Sequence, residues 1–474
     1  MSRRVAEERQ PGIPGEPADT SQPGADRSTG TRAGWRSRLG GLRGREWLLA
    51  TGAAFVLAAV MTWPTLRDPA TTIPHDIYDP LLMAWQLAWS GHAVLTQPWD
   101  LWQANAFFPE PDSYAFSDSL LGYAPLGFVG SGPVAAVVRA NLLYVLLPAL
   151  AFLGAYALAR RLGAWWPGAA LAGMVFAYAP WRLAQAGHYH VLSTGGIALA
   201  LAALAKGHGY SFTRGYRPEE VRPGWAAAGW ALAAWQLTLG FGIGLPFAYV
   251  FALVAAVAVL GWAVAGRPSV PRRLLGADLA GAGAFLVVAL LMALPYLRVV
   301  ERHPYARRTE EELALYSPPL RGFLTAPWES QTWGDVAAPL RDSVPFPPEM
   351  TMLPGFAVMV LAFFGLTVSI WTVRQRVVLA VATLASVAFA MGTTFYGGQY
   401  TYLLLYRYAP GWDAIRTSGR LVIWTTLLLG LLAAGAVTAI GHRLAAGLRA
   451  ENRSGPDEPA ADGAPEDSAR PAGP

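Results

Sequence analysis

The stretch Ala140–Ala159, ANLLYVLLPALAFLGAYALA, decides the fold. It contains no Asp, Glu, Lys, Arg or His, and it is bracketed by Arg139 on one side and Arg160-Arg161 on the other. About 20 apolar residues make a helix long enough to cross the ~30 Å hydrocarbon core of a bilayer. Working outward, similar uncharged runs recur at Trp47–Leu66, Leu162–Trp181, Leu183–Leu204, Leu279–Leu297, Met350–Val373, Val377–Met391 and Leu421–Gly441. Pro223–Gly266 is long enough for two spans with a break near Gly240-Phe241-Gly242. Together the runs predict an all-α, polytopic transmembrane bundle of about ten spans.

Composition points the same way. Of 474 residues, 54% are hydrophobic and only 14% charged, against about 25% charged in an average soluble chain. An ordinary soluble enzyme is excluded. The net charge of +5 comes without a long basic stripe, so nucleic acid is not an expected partner. With no cysteine, disulfides, thiolate catalysis and cysteine-ligated metal centres are excluded. Lys206 is the only lysine, and its polar, Gly-rich loop is a poor setting for a Schiff base.

Arginine placement predicts the topology, because basic residues favour cytoplasmic loops. Arg32, Arg36, Arg38, Arg43 and Arg45 precede the first run, which puts the N-terminus in the cytoplasm. Arg160-Arg161, Lys206 to Arg222, Arg267 to Arg273, and Arg374 with Arg376 mark four more cytoplasmic loops. The loop 67–118, with seven acids and one arginine, then lies outside. Parity holds only if Ser119–Val138 does not cross. Its Gly122, Pro125, Gly127, Gly130, Gly132 and Pro133 break a continuous helix, so a re-entrant segment is expected. Residues 1–45 read as a basic, disordered cytoplasmic tail, 46–446 as the transmembrane domain and 447–474 as a second disordered cytoplasmic tail. The first run starts far from the terminus and lacks a compact cleavage pattern, so it reads as a span and not a signal peptide. The expected location is the cell membrane, multi-pass, with both termini inside.

This topology gathers four polar stretches on the outer side: 67–118, 182–190, 298–349 and 393–420. In the first, Asp76 and Asp79 are three apart, so a helical turn would put both on one face. One carboxylate could serve as general base on a hydroxyl while the other orients the acceptor or binds a metal. The plainer alternative is that Asp79, followed by Pro80, caps the helix Leu81–Leu95, whose Trp85, Trp89 and His92 suggest an interfacial surface. Asp118 reads either as another cap or as a second acidic ligand. In the second stretch, Arg182 and His188 could hold a phosphate, against snorkelling for Arg182 and packing for His188 and His190. In the third, most charges among Arg302, Arg307, Arg308, Glu310, Glu311 and Glu312 read as solvated pairs, with Arg298 and His303 as exceptions near the membrane. In the fourth, Arg416 and Arg420 are four apart and would stack on one face at the start of the last span. They break the inside-positive trend, so a forked guanidinium contact to a phosphate fits them, against a pair with Asp413 or a loop acid.

At these residues the chain resembles the GT-C superfamily of polytopic membrane glycosyltransferases, and within it uncharacterised bacterial members. The matching elements are Asp76, Asp79-Pro80, the Trp85/Trp89 helix, Asn105 to Pro109, Ser117-Asp118 to Gly122, Pro180 to His188, and Arg416 to Arg420. The resemblance implies a helical bundle with its active site at the outer boundary beneath the first outer loop. It implies a polyprenyl-phosphate-linked sugar as donor and an envelope glycan, lipid or protein as acceptor. It implies that Asp79 or Asp76 deprotonates the acceptor hydroxyl, that Asp118 is the second acid, and that Arg182, His188, Arg416 and Arg420 surround the phosphate. A divalent metal ion on Asp76, Asp79 or Asp118 belongs to the same picture. The family's Glu-His is Asp118-Ser119 here, which departs from that pattern. Two other classes compete. A transporter or lipid flippase would show two similar halves, and the motifs of the first loop do not recur after residue 240. A non-catalytic envelope scaffold would tolerate alanine at Asp79 and Arg416. A reporter fused after Arg139 should read as outside the membrane; a cytoplasmic reading would remove the basis of the topology.

Overall fold

The computed structural model describes residues 28–451, and side chains from Gly44 to Leu448. Residues 1–27 and 452–474, expected to be disordered tails, lie outside the described residues. The described residues divide into two units, with the boundary between Leu49 and Ala50.

The helices, in chain order, are α1 (Ser28–Met61), α2 (Asp79–Thr96), α3 (Gly132–Leu162), α4 (Trp166–Tyr178), α5 (Tyr189–Leu192), α6 (Gly195–Gly207), α7 (Pro223–Leu237), α8 (Phe241–Val264) and α9 (Arg272–Arg302). Short helices α10 (Glu310–Leu315), α11 (Ala338–Arg341) and α12 (Pro347–Met350) follow, then α13 (Phe356–Phe364), α14 (Val373–Ala390), α15 (Tyr402–Tyr408) and α16 (Val422–Glu451). The only sheet among the described residues is a two-residue hairpin that pairs Tyr210–Ser211 with Gly215–Tyr216. The protein is therefore a helical membrane protein. Helix α1 begins at Ser28, within the stretch expected to be a tail, and α16 runs on past residue 447.

Seven helical segments among the described residues are long and apolar enough to cross a membrane: Gly44–Met61, Gly132–Leu162, Tyr189–Gly207, Phe241–Val264, Arg272–Arg302, Val373–Ala390 and Ser418–Leu448. The other three runs read as spans fold as shorter helices, α4 of 13 residues, α7 of 15 and α13 of 9. The quoted stretch is the middle of α3, which also takes in Gly132–Val138. The expected broken segment is thus confined to Leu121–Phe128, a 3₁₀ stretch. The backbone of Gly122 is met from inside the protein. Gly122 N–H donates to the Thr238 carbonyl (3.1 Å), and Trp235 Nε1 donates to the Gly122 carbonyl (3.0 Å). Irregular backbone in an apolar setting requires such partners.

Packing centres on α3, which lies against α4 and α6; α6 packs on α7, α7 on α9, and α16 on α4, α13 and α14. Small residues let these backbones approach. A Cβ on Gly154 would lie 2.7 Å from the Gly195 carbonyl oxygen. Trp181 fills the core and gives its indole N–H to Thr426 Oγ1 on α16 (2.9 Å), so a large ring is buried with its polar atom met. Helix α2 is more enclosed than an interfacial helix. Met83, Leu87 and Trp89 are buried, and Trp89 donates to the Leu101 carbonyl (2.8 Å).

Helix α2 meets the 3₁₀ stretch where Gly91 faces Gly127. A Cβ on Gly91 would lie 2.4 Å from the Gly127 backbone. Gly91→Val should therefore lower stability by about 1–3 kcal/mol, the range for overpacking, read as a lower melting temperature in detergent. Gly52→Ala, where nothing lies within 4 Å, should leave it unchanged.

Candidate functional site

The site begins where α2 begins. Capping falls to Asp76, whose Oδ1 accepts the N–H groups of Tyr78 (2.8 Å) and Asp79 (3.3 Å). The alternative in which Asp79 caps its own helix does not occur, and its side chain is released for other work. His75 sits at φ 64°, a left-handed conformation rare for a residue with a side chain. It holds Asp76 Oδ2 through Nδ1 (2.8 Å) and Glu329 Oε1 through Nε2 (3.2 Å). The strained backbone is thus fixed by contacts from two loops.

Asp79 Oδ2 lies 3.0 Å from His188 Nε2, and the Asp79 side chain is 40% exposed. The contact with His188 is the main cause that holds the Asp79 carboxyl below the ordinary carboxylate range, against a smaller opposing effect of burial; His190 and Arg420 add to the depression. Asp76 is also depressed: burial would raise it, but His75 and the two backbone N–H groups outweigh that.

Deeper in, Asp118 does cap a helix, though a distant one. Its Oδ1 accepts Gly242 N–H at the start of α8 (3.0 Å), and its Oδ2 lies 3.3 Å from His190 Nε2. A carboxylate there is favoured by the positive end of the helix dipole. The approach is close enough that a Cβ on Gly240 would fall 2.8 Å from His190 Cβ. His190 Nε2 is also 3.4 Å from Arg420 Nη1. Arg420 donates through Nη2 to Glu349 Oε1 (2.7 Å) and through Nε to Oε2 (3.4 Å). Gln185 Nε2 donates to the same carboxylate (3.3 Å). Burial alone would raise the Glu349 carboxyl; Arg420 and, less strongly, His188 and Arg416 hold it below its ordinary value.

Three acid–base pairs therefore touch in series: Asp79–His188, Asp118–His190 and Glu349–Arg420. The His188 and His190 rings stand edge to face at 5.7 Å. Residues from all four polar stretches meet here. Asp79, Asp118, His188 and Arg420 join directly, and Asp76 is tied to them by accepting the Asp79 N–H.

Arg416 and Arg182 behave otherwise. Arg416 and Arg420 do not stack on one helix face, because Thr417 is extended (φ −109°, ψ 90°) and the last long helix starts only after it. Arg416 lies over the Tyr316 ring (4.5 Å) and 3.8 Å from Glu312, with a side chain 40% exposed. It is a loosely held cation beside the cluster. Arg182 is buried and does not snorkel. It donates to Thr194 Oγ1 (2.9 Å) and lies over the Trp181 and Phe176 rings; among the described residues no carboxylate lies within 4 Å of it. The exceptions expected in the third stretch both reach the first loop. His303 pairs with Glu110 (3.1 Å), and Arg298 lies 3.9 Å from Asp112, which Arg302 also holds.

The sequence points to no role for Glu349, Glu329 or His75, and only to packing for His190. Glu349 stands at the edge of an apolar run and its partner is on another helix, so no local spacing marks it. A group of three or more His, Asp or Glu side chains arranged to hold a metal ion is not found among the described residues. Asp118 gives its two oxygens to His190 and to Gly242 N–H, and Asp79 meets His188 through Oδ2 alone. No step is routed through a metal.

Arg420→Ala would leave the Glu349 carboxylate buried without its cation, a loss of about 3–5 kcal/mol for a broken buried pair. The expected result is a marked fall in melting temperature, largely recovered in Arg420→Met with Glu349→Leu. The folded Glu349 pKa is depressed, so its contribution is present above the unfolded value and is lost as pH falls through the folded one. Comparison with protein-family models, curated proteins and solved structures found no match.

Proposed function

We propose that this protein is a membrane glycosyltransferase that moves a sugar from a polyprenyl-phosphate donor to a hydroxyl of an envelope glycan, lipid or protein acceptor on the outer face of the cell membrane. The observation that carries the reading is the half-open, ionised Asp79 in this cluster, with the exposed and weakly paired Arg416 beside it. An acceptor hydroxyl needs a carboxylate within reach, and a departing phosphate needs a cation.

In this reading Asp79 takes the acceptor proton on the oxygen not facing His188. The acceptor oxygen attacks the anomeric carbon as the bond from that carbon to the phosphate oxygen breaks. Polyprenyl phosphate leaves with the bonding electron pair. His188 keeps Asp79 ionised and oriented between turnovers. Arg416 is the cation for the phosphate, because it is exposed and weakly paired, whereas Arg420 is already saturated by Glu349. Asp118 and His190 position Arg420 and His188 from beneath. Asp76 is a structural cap and not the base.

The test is sugar transfer in membranes with a panel of labelled polyprenyl-phosphate sugars. Asp79→Asn should lower transfer by about 10²–10⁴-fold, the range for a lost general base. Asp76→Asn should retain most of it. Because His188 lowers the Asp79 pKa, His188→Gln should move the acid limb of the pH–rate profile to higher pH. Transfer that survives in Asp79→Asn would refute the base; absence of transfer from every donor would favour a scaffold or transporter.

A further inference from the structure

A second site lies away from the ionic cluster. A groove of about 580 Å³ runs between α2, the Leu121–Phe128 stretch and the first turns of α3, within the ~300–1,000 Å³ range of small-molecule sites. Its walls are mostly hydrocarbon, with Leu81, Ala88, Leu95 and Val137 among them, and His92, Thr96 and Ser131 add polar atoms. It opens along Leu95, which is 62% exposed.

Arg139 is the one arginine that lines this mostly apolar groove. Arg139 is 8% exposed. Its Nη1 donates to the carbonyls of Val129 (2.7 Å) and Gly130 (2.8 Å), but its Nε has no partner. Among the described residues no carboxylate lies within 4 Å of it. A guanidinium buried without an acid is costly, and the carbonyls that orient it carry no net charge. Hydrocarbon walls with one uncompensated cation match an amphiphile that carries a negative head. The head position is also separate from the cluster. Arg139 sits behind Gly127, which touches Gly91, and Gly91 is about 18 Å from Asp79 at 1.5 Å rise per helical residue.

We propose that this groove binds an anionic phospholipid, with one acyl chain along α2 and the phosphodiester on Arg139. The site does not depend on the transfer chemistry proposed above. The test is native mass spectrometry of the full chain, taken from micelles that contain equal phosphatidylglycerol and phosphatidylcholine. The wild type should retain phosphatidylglycerol with about tenfold preference, equivalent to about 1.4 kcal/mol. Arg139→Gln should erase the preference while some lipid is kept. Ala88→Trp, which fills the groove and leaves Arg139 in place, should remove bound lipid altogether, with helical circular dichroism unchanged. Equal retention of the two lipids by the wild type would overturn the proposal. So would a preference that survives Ala88→Trp, which decides the question even if Arg139→Gln fails to fold.

Discussion

The buried contact between Arg420 and Glu349 is the constraint on which the site depends. Two opposite charges removed from water are tolerable only when they face each other with good geometry. Here the guanidinium fork meets both carboxylate oxygens, and a third nitrogen reaches His190. Glu349 belongs to the segment before α13, His190 to α5, and Arg420 to the turn before α16. None of the three could be withdrawn without leaving a partner stranded. The rest of the cluster is layered on this base: His190 faces Asp118, Asp118 caps α8, and His188 beside it meets Asp79.

The bundle was legible in the sequence because membrane burial is a local property of composition. An uncharged run such as Ala140–Ala159 announces itself without knowledge of its neighbours. Lengths were less legible. Leu162–Trp181 is uncharged throughout, yet it holds a 13-residue helix, because Trp165-Trp166-Pro167 starts it late and Pro180 ends it early. Hydropathy cannot see either end. The gathering of the four polar stretches was readable from the alternation of arginine-rich and arginine-poor loops, since that alternation decides which loops share a side.

The roles within the site were harder to read. Asp76 and Asp79 are the same residue type three positions apart, and only the backbone turn at His75 decides which one caps. Asp118 reads in the sequence as a cap of the segment that follows it, whereas its Oδ1 meets Gly242 N–H in the helix that starts at Phe241, which no local pattern encodes. Arg182 illustrates the opposite failure. An arginine at the end of an apolar run resembles a headgroup contact, yet aromatic rings from its own segment and from α4 enclose it.

The hydrogen bond from Gly242 to Asp118 and the pair that closes on Arg420 also impose an order on biosynthesis. Chains are made from the N-terminus onward. Asp79 and Asp118 therefore enter the membrane long before the residues that complete their surroundings. Until α8 is in place Asp118 has no helix end to cap, and until the final long helix docks Glu349 has no cation. A nascent or truncated chain carries the acids without the centre. The cluster is thus complete only once the segment that carries Arg420 has been made and has met Glu349.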